Sequence, residues 1–262
     1  MRRLAAITLL SVLVITSVAS AGNLDNVLQK RCQETFKKDF PVSAEKAQIL
    51  PAPVPGLCEI RIGLNVLYYA PPSGPGEKGR LIVGEIYTPD GKNLTVKARE
   101  DLVADIVKTF DLSKAIKIGN GPVRVIEFTD PDCPFCRRLE KFFAENREIT
   151  REITRYVFLY PLPGLHPHAE THARWILCQK DPGRALTDLM TEKITNTDPP
   201  TKCDLDAVND CLSYSRIVAK RLGIRGTPFL IAGRTVVPGF NPSLIYTGIN
   251  RVLRAEHITK KH

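Results

Sequence analysis

Between residues 24 and 36 the apolar positions recur at helical spacing and predict an amphipathic helix. Prolines at 51, 53 and 55 follow, and their missing backbone donors exclude helix there. Strand-like runs come next at 58–69 and 81–87, separated by a polar, glycine- and proline-rich loop at 71–79. Few large apolar residues fall in this stretch, so it needs a partner surface or a covalent staple to be stable. Asp90-Gly91 marks a turn, and Val103, Ile106, Val107 and Phe110 give 95–110 the pattern of a connecting helix.

A second region begins near Lys114. Val123, Val125 and Ile126 open a buried strand that ends at Phe128, and Asp130-Pro131-Asp132 reads as a turn. A helix starts at Cys133 or Pro134, since proline suits the first helical position. Leu139, Phe142 and Phe143 form its apolar face. Residues 156–160 read as a strand, 165–180 and 205–222 as helices, and 228–231 with 235–237 as a hairpin across Ala232-Gly233. Asn241-Pro242 caps a last helix carrying Leu244, Ile245, Ile249 and Leu253. This order of elements is that of an α/β layered domain.

The first residues carry a different pattern. Arg2 and Arg3 precede an uncharged apolar run at 4–19, and Ala19-Ser20-Ala21 offers the small residues of a signal-peptidase site. A membrane anchor is the other reading, but the run is short for a span of ~20 residues. Residues 1–21 are therefore expected to be a cleaved signal peptide, leaving a soluble protein exported across the inner membrane to the periplasm. Loss of Arg2 and Arg3 leaves 35 basic against 28 acidic residues. The basic residues are scattered among acids rather than gathered into a patch, which argues against a nucleic-acid partner.

Seven cysteines remain, in a compartment that permits disulfides. Cys133-Pro134-Phe135-Cys136 at a helix start is the motif with chemistry in it. Two intervening residues let the sulfurs bond and part without large backbone motion. The unpaired amides and dipole of the helix N-terminus favour a thiolate at Cys133, while Cys136, one turn inside, becomes the buried resolving thiol. Pro134 and Phe135 tune how oxidising the pair is. Half of a zinc site and a plain structural disulfide are the alternatives. No second close cysteine pair exists for zinc, because Cys203 and Cys211 are too widely spaced.

Two further features converge here. Glu127 is an acid inside an otherwise apolar strand. If buried, its raised pKa would let it take the proton of Cys136; otherwise it is an edge residue facing water. Gly226-Thr227-Pro228-Phe229 places a proline at the start of a strand. A cis bond there would expose backbone groups to an extended client, and a trans edge proline is the other reading.

Phe128-Thr129-Asp130, Cys133-Pro134-Phe135-Cys136 and Gly226-Thr227-Pro228 resemble the thioredoxin fold. More narrowly, nearly the whole mature chain resembles the DsbC/DsbG family of periplasmic disulfide isomerases. Ile49-Leu50-Pro51-Ala52-Pro53-Val54-Pro55-Gly56-Leu57 resembles that family's N-terminal dimerisation domain. Trp175-Ile176-Leu177-Cys178 and Cys203-Asp204-Leu205-Asp206 resemble its helical insertion and structural disulfide, and Leu222-Gly223-Ile224-Arg225-Gly226-Thr227-Pro228 and Val237-Pro238-Gly239-Phe240 complete the match. The resemblance implies a small α+β cystatin-like dimerisation domain at 22–90 and a linker helix at 91–113. A thioredoxin-like catalytic domain follows at 114–262, with its helical insertion at about 163–222. It further implies a V-shaped homodimer with an uncharged client cleft, a cis bond before Pro228, and Thr227, Pro228, Pro134 and Phe135 as client-binding residues. Pro134-Phe135 departs from the Gly-Tyr pair of typical isomerases, and Glu127 stands where those carry an apolar residue. Both bear on the balance between oxidising and isomerising.

The family pattern supports a Cys178–Cys203 disulfide, worth roughly 3–4 kcal/mol for a loop of this length. Cys32 and Cys58 are paired as a staple for the small N-terminal region. Cys211 falls in the stripe of Leu205, Val208, Leu212, Ser215 and Leu222 and reads as a core thiol; within a helix it lies ~12 Å from Cys203, too far to bridge. His166, His168 and His172 read as surface or capping residues, since no glutamate completes a zinc motif between them. No metal and no cofactor is expected. The expected activity is attack by Cys133 on non-native disulfides of misoxidised exported proteins, with a DsbD-like membrane reductase keeping the pair reduced. A net thiol oxidase of the same fold and a holdase chaperone for unfolded exported proteins are the alternatives, with a copper-handling protein as a third.

Overall fold

The computed structural model describes residues 19–195, 197 and 202–259. The expected signal segment, apart from residues 19–21, lies outside them. Two compact units divide the chain, one of residues up to 61 with 67–84 and the other of residues 62–66 with 85 onward.

In the first unit a long helix, α1 (Ala19–Asp39), and a single turn, α2 (Pro41–Ala44), accompany a four-stranded sheet. Its strands are β1 (Ala47–Pro51), β2 (Cys58–Ile62), β3 (Asn65–Ala70) and β4 (Arg80–Ile82), in that spatial order. The run read as one strand at 58–69 is thus a hairpin. Gly63 breaks it, taking a φ of 59° that side chains disfavour. Likewise only 80–82 of the second run is strand, paired antiparallel with β3. The core is small. Phe36 packs edge-on against Tyr69, whose hydroxyl donates to Asp39 at 2.7 Å. A Cys32–Cys58 disulfide joins α1 to β2, with Cα atoms 6.5 Å apart.

The second unit opens with α3 (Leu94–Lys108), capped by Asn93, whose side chain accepts from the Val96 amide. A short 3₁₀ turn follows at Leu112–Lys114. The sheet comprises β5 (Ile116–Ile118), β6 (Val123–Thr129), β7 (Ile153–Leu159), β8 (Phe229–Ala232) and β9 (Thr235–Pro238), in the order β5-β7-β6-β8-β9. Strands β6 and β7 are parallel, and the other neighbours are antiparallel. The helices are α4 (Pro134–Glu145), α5 (Arg147–Glu152), α6 (Ala169–Leu177), α7 (Pro182–Met190), α8 (Leu205–Leu222) and α9 (Pro242–Thr259).

Central position explains the composition of β6. Val123 and Val125 pack with Leu139 and Phe143 of α4 and Ile245 and Ile249 of α9. On the opposite face Ile126 and Phe128 pack with Phe158, Val218 and Leu222. A strand covered on both faces reads as a nearly continuous apolar run.

The helix expected over 165–180 is shorter, and an unexpected second helix follows it. Pro167 biases His166 away from helical backbone, so α6 starts only at Ala169. Helix α7 begins afresh at Pro182, where the Asp181 carboxylate accepts from the Arg184 amide at 3.0 Å. The expected core role of Cys211 is also corrected. The buried stripe of α8 is Val208, Leu212, Ser215, Ala219 and Leu222; Cys211 flanks it half-buried, and Leu205 is exposed.

Candidate active site

Strand β6, the turn after it and the start of α4 build the site. Cys133 is the residue flanking the helix, in extended conformation, and Pro134 occupies the first helical turn. Its φ is already helical, and its missing amide is one the first turn leaves unpaired anyway. Both cysteines are thiols. Cys136 is fully buried and Cys133 is 5 % exposed. Both sulfurs belong to an apolar cluster with Val157, Leu159, Ala173, Ile176, Val208 and Leu212. The helical insertion therefore forms one wall of the redox site.

Electrostatics divides the two sulfurs. The Cys133 thiol is lowered from an ordinary 9.0 to about 5, first by its hydrogen bond from Cys136. The Cys136 and Phe135 amides at the helix start and the Thr227 side chain lower it further, against the opposing effect of burial. The Cys136 thiol is driven strongly upward, first by burial and then by its bond to Cys133. Charge is thus placed on the outer sulfur and a proton on the inner one.

The main chain pins both. The Asp130 carbonyl accepts the Cys133 amide at 3.1 Å, and the Asp130 amide donates to the Cys136 sulfur at 3.5 Å. Thr227 meets the pair from the opposite loop, with its carbonyl 3.4 Å from the Cys133 sulfur. The Thr227–Pro228 bond is cis. Among the expected client-binding residues, Phe135 stands exposed beside the sulfurs, with the Arg138 guanidinium 5.4 Å from its ring centre.

Glu127 does not face water. It is fully buried in the central strand. One of its oxygens accepts from Arg155 Nε and Nη2 at 3.0 and 2.8 Å; the other has no partner. The same guanidinium serves Glu140 of α4 at 2.5 Å and lies over the Phe143 ring, 4.3 Å from its centre. Burial pushes Glu127 upward, Arg155 opposes it, and the Glu140 charge pushes it further up. Burial would raise Glu140 too, but Arg155 and the Thr187 hydroxyl hold it below its ordinary value. Arg155 thus holds the negative charge more firmly on Glu140 than on Glu127. Thr129 lies near both Glu127 and Cys136 and lowers the pKa of each, and its buried hydroxyl makes no hydrogen bond. The sequence held a signal for this trio: Arg155 is charged inside an apolar strand, and Glu140 sits between Leu139 and Phe143 on the buried face of α4.

Of the three histidines expected to be surface or capping residues, His168 is exposed, whereas His166 and His172 hold the active-site turn. His166 Nδ1 lies 3.0 Å from the Asp130 carboxylate, and His172 Nδ1 lies 2.6 Å from Asp132. His168 precedes α6 without a capping bond from its side chain. Among the described residues, no group of three or more His, Cys, Asp or Glu could hold a metal ion. Away from the site, Cys178 and Cys203 form a disulfide with Cα atoms 5.1 Å apart, linking the end of α6 to the residue before the α8 cap.

Residues 111–247 match the family model of a thioredoxin-like domain, and residues 19–96 match that of the disulfide bond isomerase protein N-terminal domain. The chain is 26 % identical over 234 residues to the thiol:disulfide interchange protein DsbC of Escherichia coli (strain K12), covering 88 % of this chain and 90 % of that one. To the probable thiol:disulfide interchange protein DsbC of Bordetella avium (strain 197N) it is 30 % identical over 217 residues, covering 82 % and 70 %. A solved disulfide interchange protein from Neisseria gonorrhoeae is 35 % identical, with a TM-score of 0.44, over 54 % of this chain and 97 % of that one.

Proposed function

Because the chain belongs to the DsbC/DsbG thioredoxin-fold family and is a thiol:disulfide oxidoreductase, we propose that it works as a periplasmic disulfide isomerase and reductase through Cys133 and Cys136. The observation that carries this reading is the division of charge between the two sulfurs, a thiolate outside and a protonated thiol inside. Cys133 attacks a non-native disulfide of an exported client. One client sulfur bonds to Cys133 and the other leaves as a thiolate. That thiolate then attacks elsewhere in the client and frees Cys133, which is isomerisation. Alternatively Cys136 gives up its proton and displaces the client, which is net reduction.

Glu127 is the proton acceptor for that second route, through Thr129. Its burial among apolar residues supports this, as does the second carboxylate beside it, since both raise its affinity for a proton. The exposed Phe135 and the backbone beside Pro228 bind extended client segments. Net reduction oxidises the pair, so turnover requires a reductase of the DsbD type in the membrane.

A homodimer is part of the same reading. Among the described residues strand β4 ends its sheet with one edge unpaired; Leu81 and Ile82 are exposed on it and Val83 just after it. An apolar open edge is a template for pairing with another chain, here a second copy.

A net oxidase remains a second reading, favoured by one observation. A thiolate held near 5 stabilises the reduced pair and so makes the disulfide a stronger oxidant. Alkylation trapping in intact cells separates the two. Cys133 and Cys136 found mainly as thiols support isomerase and reductase work, and a pair found mainly oxidised overturns it.

A further inference from the structure

Asp130 is the hub of the active-site turn, and the helical insertion grips it. The carboxylate is fully buried. One oxygen accepts from the Asp132 amide at 2.8 Å. The other meets the Leu162 amide at 2.8 Å and His166 Nδ1 at 3.0 Å. The same residue's main chain holds the Cys133 amide and the Cys136 sulfur. His166 comes from the loop before α6 and is one-fifth exposed, so it can exchange protons with solvent.

We propose that His166 is a positioning residue of the exchange reaction: its imidazolium, bonded to Asp130, is electrostatically coupled to the Cys133 thiolate and follows its redox state. This rests on Cys133 being the attacking thiolate. The charges facing His166 are Asp130, Asp132 and Cys133, and each raises its pKa, the Asp130 bond most and burial opposing. Asp132 is itself engaged by His172 and by Arg137, whose guanidinium also reaches Glu192. When Cys133 enters a mixed disulfide, its negative charge leaves with the departing client sulfur. One of the three anions holding the proton on His166 is then gone. His166 binds its proton more weakly, and by reciprocity a charged His166 favours the thiolate. The insertion therefore adds a proton-linked contribution to the reduction potential of the pair in the range where histidine titrates.

The test uses the mature protein as it exists. The His166 Cε1–H resonance is followed against pH in the dithiol form and in the Cys133–Cys136 disulfide form. A higher His166 midpoint in the dithiol form is expected, and equal midpoints overturn the inference. His166→Asn provides a second readout, since its amide still donates to Asp130 while the charge is lost. Its Cys133 alkylation midpoint is expected to rise by about one unit, and an unchanged midpoint is contrary. In His172→Gln, which cuts the strap to Asp132, the Cys133 midpoint is expected to stay put. A rise as large as that in His166→Asn would assign the effect to general loosening and overturn the inference. If instead Cys133 is no thiolate, its midpoint in the unsubstituted protein is ordinary, which distinguishes failure of the premise from failure of the coupling.

Discussion

At the scale of single residues, a helix start and a buried carboxylate network set the chemistry. The folded-state pKa of Cys133, about 5, lies below its ordinary 9.0, so the folded reduced protein binds fewer protons than the unfolded chain in that window. Stability from this group is present above 9 and is lost as pH falls through 5. Cys136 is raised, so over this same window its contribution is constant. The unfolding free energy of the reduced protein, minus that of Cys133→Ala, is therefore expected to rise from pH 5 to pH 8 in urea titrations. A flat difference contradicts the assignment. Glu127→Gln keeps the shape but cannot accept a proton. Single-turnover release of a client held on Cys133 by Cys136 is expected to slow by about 10²-fold, the low end for a positioned acid–base, while the initial attack by Cys133 is unchanged. Arg155→Met leaves Glu140 buried and unpaired and is expected to cost about 3–5 kcal/mol by denaturant unfolding.

Elements show why some of the fold was legible in the sequence and some was not. Helix α8 was readable end to end, because apolar spacing, the Asp204 cap and Gly223 all agree; the glycine takes a φ of 72° there. The active-site turn and the start of α4 were equally plain from Asp130-Pro131-Asp132 and Pro134. Helix α7 was missed although Asp181-Pro182 marks its start, since the unbroken apolar pattern of α6 masked the break. The β2–β3 hairpin was missed because Gly63 is a single glycine where a two-residue turn signal was expected. Partners distant in sequence were beyond reach. The pattern places Glu127 inside an apolar strand, but it cannot show that Arg155, 28 residues on, lies beside it on a parallel strand. Nor does it show that His166 reaches back to Asp130. Among the elements, the Cys178–Cys203 link ties α6 to the start of α8. The double variant Cys178→Ala/Cys203→Ala is expected to lose roughly 3–4 kcal/mol in calorimetry or urea unfolding, with Cys133 reactivity retained.

For the whole molecule, the family assignment carries a first unit with a small core and an open strand edge, and a second unit that holds the complete redox site. A proposed dimer through β4 has a direct check. Replacing exposed Leu81, the cross-strand neighbour of Tyr69, with Lys and Val83 with Asp adds charge at the edge while leaving Phe36 and Tyr69 themselves in place. Sedimentation is expected to show a dimer for the mature protein and a monomer for the Leu81→Lys/Val83→Asp variant. A dimer that persists in the variant means that the interface lies elsewhere.

One measurement reaches the central claim with least intervention: the rate of iodoacetamide labelling at position 133 in the reduced mature protein, followed from pH 4 to pH 9. A profile that rises with a midpoint near 5 and is level through neutrality is expected from a thiolate held at the start of α4. A midpoint between 8 and 9, as for any free thiol, would contradict it.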